Sequence, residues 1–149
     1  MIELFNRLAG ALKRWLRPDP DAATDRAGVG RRGEREAARY LKRRRWKILE
    51  RNFSTRRGEI DLIATRGGVV AFVEVRSQTK PIRIQPEATV TRGKQRRIIR
   101  AAQAYCARKK LGQEGMALRF DVLTVRFAEG ARPDVRHIED AFQLTRSGF

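Results

Sequence analysis

Hydrophobic and polar positions alternate with two different periods along this chain, and the changes of period mark its elements. Phe5, Leu8, Leu12, Trp15 and Leu16 recur at helical spacing, with Arg7, Lys13, Arg14 and Arg17 off that stripe. Pro18-Asp19-Pro20 stops this N-terminal amphipathic helix, and the Gly-, Asp- and Ala-rich stretch from Asp19 to Gly33 reads as a linker. Residues 34–45 predict a helix with Ala37, Ala38 and Leu41 on its apolar face. Trp46–Phe53 reads as a strand and Ser54–Gly58 as a basic turn. Two β-branched-rich runs, 59–65 and 69–76, flank Gly67-Gly68, the pattern of a hairpin with a two-residue turn. Residues 77–90, with Pro81 and Pro86, form a loop. A long helix follows from Arg92 to Lys110, with Ile98, Ala102 and Tyr105 along one side, ended by Leu111-Gly112. Residues 118–127 predict another strand, and 135–142 a last short strand or turn.

The order helix, three strands, helix, strand implies an α/β layered fold with a mixed central sheet. Residues 1–30 form a helix-and-linker segment, and 31–149 the domain proper. A chain of 149 residues has room for one such core.

Composition narrows the chemistry. One cysteine, Cys106, rules out an intramolecular disulfide or a Cys-based zinc site, and the single histidine, His137, argues against His-rich metal sites. Trp46 and Phe53 read as core anchors, and Cys106 as a small half-buried side chain. No apolar run approaches the ~20 residues that span a bilayer. Charges at Glu3, Arg7, Lys13 and Arg14 interrupt the only candidate for a secretory signal, so a cytoplasmic setting is expected. The helix over 1–17 could still lie on a membrane surface or pack back on its own domain. With 34 Lys+Arg against 17 Asp+Glu, the net charge is +17. That excess points to a polyanionic partner, nucleic acid first, although an arginine-rich proteome would produce a similar bias. Residues 31–57 hold twelve cations, Arg31, Arg35, Arg56 and Arg57 among them, and a second block includes Lys94 and Arg97. Such residues bind phosphates without reading sequence.

The acids are the informative exceptions. With Gly67-Gly68 as the turn, Arg66 faces Val69, and the same register sets Asp61 directly opposite Glu74. Glu74 stands between Val73 and Val75, in a run that should be buried. Two facing carboxylates repel and lose hydration unless positive charge lies between them. A divalent ion with hard oxygen ligands, Mg²⁺ in the first place, would supply it and could activate a water for attack on phosphorus. Arg76, on the same face together with Glu59 and Phe72, could neutralise the pair instead. Asp121 is expected to pair with an arginine rather than line this site. His137 receives no role.

Glu34, then Gly58-Glu59-Ile60-Asp61-Leu62-Ile63, Phe72-Val73-Glu74-Val75-Arg76 and Val90-Thr91-Arg92-Gly93-Lys94-Gln95 together resemble the YraN family. Its members look like the PD-(D/E)XK, restriction-endonuclease-like fold and are related to Holliday-junction resolvases. The resemblance runs from about Arg31 to Val125. It implies an αβββαβ core, Asp61 and Glu74 as ligands of Mg²⁺ or Mn²⁺, and Glu34 as the helix acid approaching the metal. It also implies phosphodiester hydrolysis with DNA favoured over RNA, and a homodimer as the assembly to test. The general motif has lysine where Arg76 stands. An arginine cannot act as a base but can clamp phosphate. Lys94 could take the lysine's role, or simply contact phosphate from the start of its helix. The competing expectation is a basic nucleic-acid-binding protein without turnover.

Overall fold

The computed structural model describes residues 20–79, 90–111 and 115–143. The expected helix over 1–17 and the loop centred on Pro81 and Pro86 lie outside them. A five-stranded sheet runs in the order β1 (Lys47–Thr55), β2 (Gly58–Arg66), β3 (Val69–Gln78), β4 (Ala117–Arg126), β5 (Asp134–Phe142). All neighbours are antiparallel except β3 and β4. That parallel pair is joined through helix α2 (Arg92–Lys109), while α1 (Pro20–Arg43) covers the opposite face. The result is the expected α/β arrangement, a mixed sheet between two helices, consistent with a restriction-endonuclease-like core.

Two apolar layers hold the sheet. On one side Ala37, Ala38 and Leu41 of α1 pack on Leu62, Ala64, Ala71, Val73, Leu123 and Val125. On the other, Ile98, Ala102 and Tyr105 of α2 pack on Phe53, Ile63, Phe72 and Phe120. Trp46 and Phe53 are buried anchors, as their spacing suggested. Both helices end in the same way, with a basic residue in the left-handed region: Arg45 at φ 63° and Lys110 at φ 53°. Trp46 N–H donates to the Leu41 carbonyl at 3.0 Å and Leu111 N–H to that of Cys106 at 2.9 Å, so each end satisfies its own carbonyls. The expected hairpin is present, with Gly67 and Gly68 at φ 55° and 79°, the conformation that a tight primed turn requires.

The chain departs from expectation in α1. The stretch taken as a linker is helical from Pro20 onward. Proline is accepted in a first helical turn because its missing N–H has no partner there. The glycines that suggested a linker have a packing use. A Cβ on Gly33 would lie 1.6 Å from the Ser77 hydroxyl oxygen and 2.7 Å from Ser77 Cβ. Only glycine lets α1 lie this close to β3, and the tertiary contact outweighs the ~1 kcal/mol that glycine costs a helix. The last element is a full strand. No helix among the described residues is long and apolar enough to cross a membrane.

Candidate active site

Asp61 lies where β2 stops alternating. Ile60 belongs to the layer under α2, whereas Leu62, two residues on, belongs to the layer under α1. A regular strand would put both on one face. The partner strand is irregular at the same level: Arg51 pairs with Leu62 and Phe53 with Ile60, while Asn52 between them takes φ 51°. The ladder to β3 runs from Arg66↔Val69 to Leu62↔Val73 and stops one position short of Asp61 and Glu74. The two acids are therefore not the directly opposed ladder pair that a regular register implied. Instead the Asp61 carboxylate replaces the backbone, accepting the Val75 N–H at 2.7 Å. The kink turns both carboxylates toward one cavity.

That cavity, about 430 Å³, is lined from β2 and β3 by Asp61, Glu74 and Arg76 and from α1 by Arg26, Gly30 and Glu34. The helical spacing of 26, 30 and 34 puts these three on one stripe of α1, and Gly33 brings the stripe close. Glu74 is 4% exposed. Its Oε1 lies 3.6 Å from Arg76 Nε, and its Oε2 3.6 Å from Lys94 Nζ. These are ion-pair rather than hydrogen-bond distances, and Oε2 is buried with no hydrogen-bond partner. Lys94, in the first turn of α2, also reaches Glu59 at 3.4 Å.

The electrostatics follow from this crowding. Burial, then the neighbouring Glu74 charge and, less strongly, Glu34 push the Asp61 carboxyl from 3.8 up to about 7, against the pull of the Val75 N–H and Lys94. Glu74 is also raised, by burial first, with Lys94 and Arg76 opposing. Two acids that ionise reluctantly side by side form a place that gains from a cation. Among the described residues no three His, Cys, Asp or Glu side chains converge closely enough to hold a metal by themselves. Two carboxylates with solvent suit Mg²⁺, which keeps several waters and takes only one or two protein carboxylates. The Glu74 oxygen that lacks a hydrogen bond fits that donor set. Glu34 lines the same cavity but is not part of a three-acid cage.

Of the expected phosphate contacts, Arg56, Lys94 and Arg97 gather around a separate concavity beside the β1–β2 turn. Arg57 is exposed in that turn, and Arg31 and Arg35 are exposed on α1, outside the stripe that lines the acidic cavity. Arg26 was hidden in the supposed linker; continuing the spacing of Glu34 backward by four and eight residues would have found it. Asp121 pairs with an arginine as expected: Arg119 grips it at 2.8 and 2.9 Å. His137, to which the sequence assigned nothing, contacts it at 2.7 Å, and the Asp140 N–H donates to it at 3.0 Å. This network, centred on the fully buried Asp121, stands on the α1 side, with the His137 ring edge-on to Tyr40 and Trp46. It is apart from the acidic cavity.

Comparison with known proteins places this arrangement. The family model described as "Uncharacterised protein family UPF0102" matches residues 33–125, which contain Glu34, Asp61, Glu74, Arg76 and Lys94 but not Arg26. A UPF0102 protein of Anaeromyxobacter sp. (strain Fw109-5) is 47% identical over 120 residues, covering 80% of this chain and 88% of its own. One from Geobacter metallireducens is 43% identical over 116 residues, 78% of this chain and 93% of its own. One from Anaeromyxobacter dehalogenans is 45% identical over 119 residues, 78% and 85%. The matched span opens at the glycine that seats α1 on β3 and closes at the end of β4, and the chain belongs to the UPF0102, or YraN, family.

Proposed function

We propose that this protein is a divalent-metal-dependent nuclease that hydrolyses phosphodiester bonds. The observation that carries the reading is the buried pair Asp61 and Glu74, with a Glu74 oxygen that makes an ion pair but no hydrogen bond, opening on a cavity in a chain of net charge +17. A folded protein gains nothing in stability from two such acids; a cation and a phosphate give them a purpose. Asp61 and Glu74 would hold Mg²⁺ or Mn²⁺. When bound, the ion supplies charge to polarise the phosphate and to acidify a water.

The remaining work falls to side chains. Arg76, permanently charged and beside Glu74, holds the scissile phosphate and stabilises the charge that develops on it. Lys94 brings from α2 the ammonium that the general motif carries on the strand, and fixes Glu74 between itself and Arg76. Glu34 faces the pair from α1 and accepts hydrogen bonds from water in the cavity. Arg26 adds a cation at the rim. The resemblance to resolvase-like enzymes puts DNA ahead of RNA as substrate.

The test is cleavage of labelled four-way-junction, single-stranded and duplex DNA and structured RNA in Mg²⁺, Mn²⁺ or EDTA. Metal-dependent cutting lost in Asp61→Ala and Glu74→Ala supports the nuclease and identifies the substrate. Tight, salt-sensitive binding without cutting in either metal refutes it. That outcome would favour a binding protein without turnover, the reading to which Arg76, unable to give up its proton, lends support.

A further inference from the structure

A second concavity, about 350 Å³, adjoins the acidic cavity and has no part in holding the metal. It lies between the β1–β2 turn and the start of α2, walled by Thr55, Arg56, Gly58, Glu59, Lys94 and Arg97. Lys94 belongs to its wall and at the same time reaches Glu74, so the two spaces are neighbours.

This concavity is built, in the sense that backbone contacts set its width. The Thr55 hydroxyl accepts the N–H groups of Arg57 at 3.1 Å and Gly58 at 3.2 Å, locking the turn. A Cβ on Gly58 would lie 2.2 Å from the Arg97 carbonyl oxygen. The turn is therefore seated directly on α2, and Arg56 from the turn and Arg97 from the helix both line the concavity.

Charge sets it apart as well. Lys94 is committed to Glu59 and Glu74. Arg56 and Arg97 have no ion pair or side-chain hydrogen bond among the described residues. Two guanidinium groups that line one small space are favoured by an anion between them. A phosphate diester suits them, since guanidinium matches its oxygens in a fork of parallel hydrogen bonds.

We propose that this concavity is a phosphate subsite that grips the nucleic-acid backbone beside the phosphate held at Asp61 and Glu74. That second position rests on the nuclease reading; the grip itself does not. The subsite orients the strand by its backbone and reads no bases. It gives the protein a preference for where a strand lies rather than for which sequence it carries.

Binding in EDTA separates this proposal from catalysis. Anisotropy of a labelled single-stranded DNA and a labelled duplex would be followed over a range of NaCl. The variants are Arg56→Gln/Arg97→Gln and a control of equal charge loss, Arg100→Gln/Arg136→Gln, exposed positions outside both cavities. The subsite pair is expected to weaken binding about tenfold and to lower the slope of log K against log salt by about one. The control pair should change affinity less than threefold. Gly58→Ala keeps every charge but moves Arg97, and should reproduce most of the loss while circular dichroism shows a folded chain. Equal losses in the two pairs would overturn the subsite in favour of diffuse charge. Inorganic phosphate that displaces DNA from the wild type beyond its ionic-strength effect, and not from the subsite pair, would support a backbone phosphate in the concavity; displacement equal in both proteins would overturn it. Loss confined to the subsite pair, in a protein that cuts nothing, would keep the subsite and refute the nuclease.

Discussion

In metal-free buffer at pH 8, Asp61→Asn is expected to melt at a higher temperature than the wild type, although it removes a candidate catalytic group. The Asp61 carboxyl has been carried from 3.8 to about 7 by burial and by Glu74. At about 1.4 kcal/mol per pH unit, ionising it in the folded state costs about 4 kcal/mol once the pH exceeds both values. An asparagine removes this charge, and its side-chain oxygen can still accept the Val75 N–H. Burying the extra amide N–H returns part of the gain, leaving about 2 kcal/mol. For a domain of this size that is a rise of about 4–8 °C. The sign fixes the pH dependence. A carboxyl whose folded value is raised exacts no penalty below about 4, an increasing one between about 4 and 7, and the full one above 7. The advantage of the variant should therefore vanish at pH 4. Adding millimolar Mg²⁺ at pH 8 should stabilise the wild type and not the variant, narrowing the gap from the other side. The assay is thermal melting by circular dichroism at pH 4, 6 and 8, with and without Mg²⁺. An unchanged or lower melting temperature at pH 8, or an equal gain at pH 4, would refute the account of the buried pair.

Three further outcomes are expected. Because a proton must leave Asp61 before a cation binds, apparent Mg²⁺ or Mn²⁺ affinity should fall about tenfold per pH unit below pH 7, with proton release visible when calorimetry is repeated in buffers of different ionisation enthalpy. Gly33→Ala, which ordinarily would strengthen a helix, should instead cost about 1–3 kcal/mol through the clash with Ser77, and Ser77→Gly should restore most of it; urea denaturation measures both. Asp121→Asn should cost about 1–3 kcal/mol at pH 7, because His137 and Arg119 lose the charge they bond while Arg119 keeps Glu139. Burial pushes the Asp121 carboxyl up, but His137, Arg119 and the Asp140 N–H outweigh it and hold it below its usual value. Its contribution is thus complete above the ordinary carboxylate range and is lost as the pH falls through the folded value, so the two denaturation curves should converge below pH 4.

Much of this molecule could be read from local pattern. The Gly67-Gly68 turn set the hairpin register, since a two-residue turn leaves one way to pair Arg66 with Val69. Period-two apolar runs marked the sheet, and Ala37, Ala38 and Leu41 marked the buried face of α1. Asp61 and Glu74 stood out because acids in apolar runs of a basic chain need a reason, whereas Glu34 was singled out by the family resemblance. These features depend on neighbours a few residues away, which is why a sequence displays them. What it could not display was decided by contacts distant along the chain. Three glycines spelled a linker until packing of α1 on β3 at Ser77 made one of them a requirement, and with the helix came Arg26 on the cavity wall. The kink at Asn52 and Asp61 broke the ideal register, because two helical layers on opposite faces claim Ile60 and Leu62. His137 acquired a partner only when β5 was laid beside β4, bringing it to Asp121 sixteen residues away. Local pattern determines which elements form and which residues are out of place in them; which backbones can touch, and where a strand must bend to serve two cores, is settled only by the volume the assembled chain has to fill.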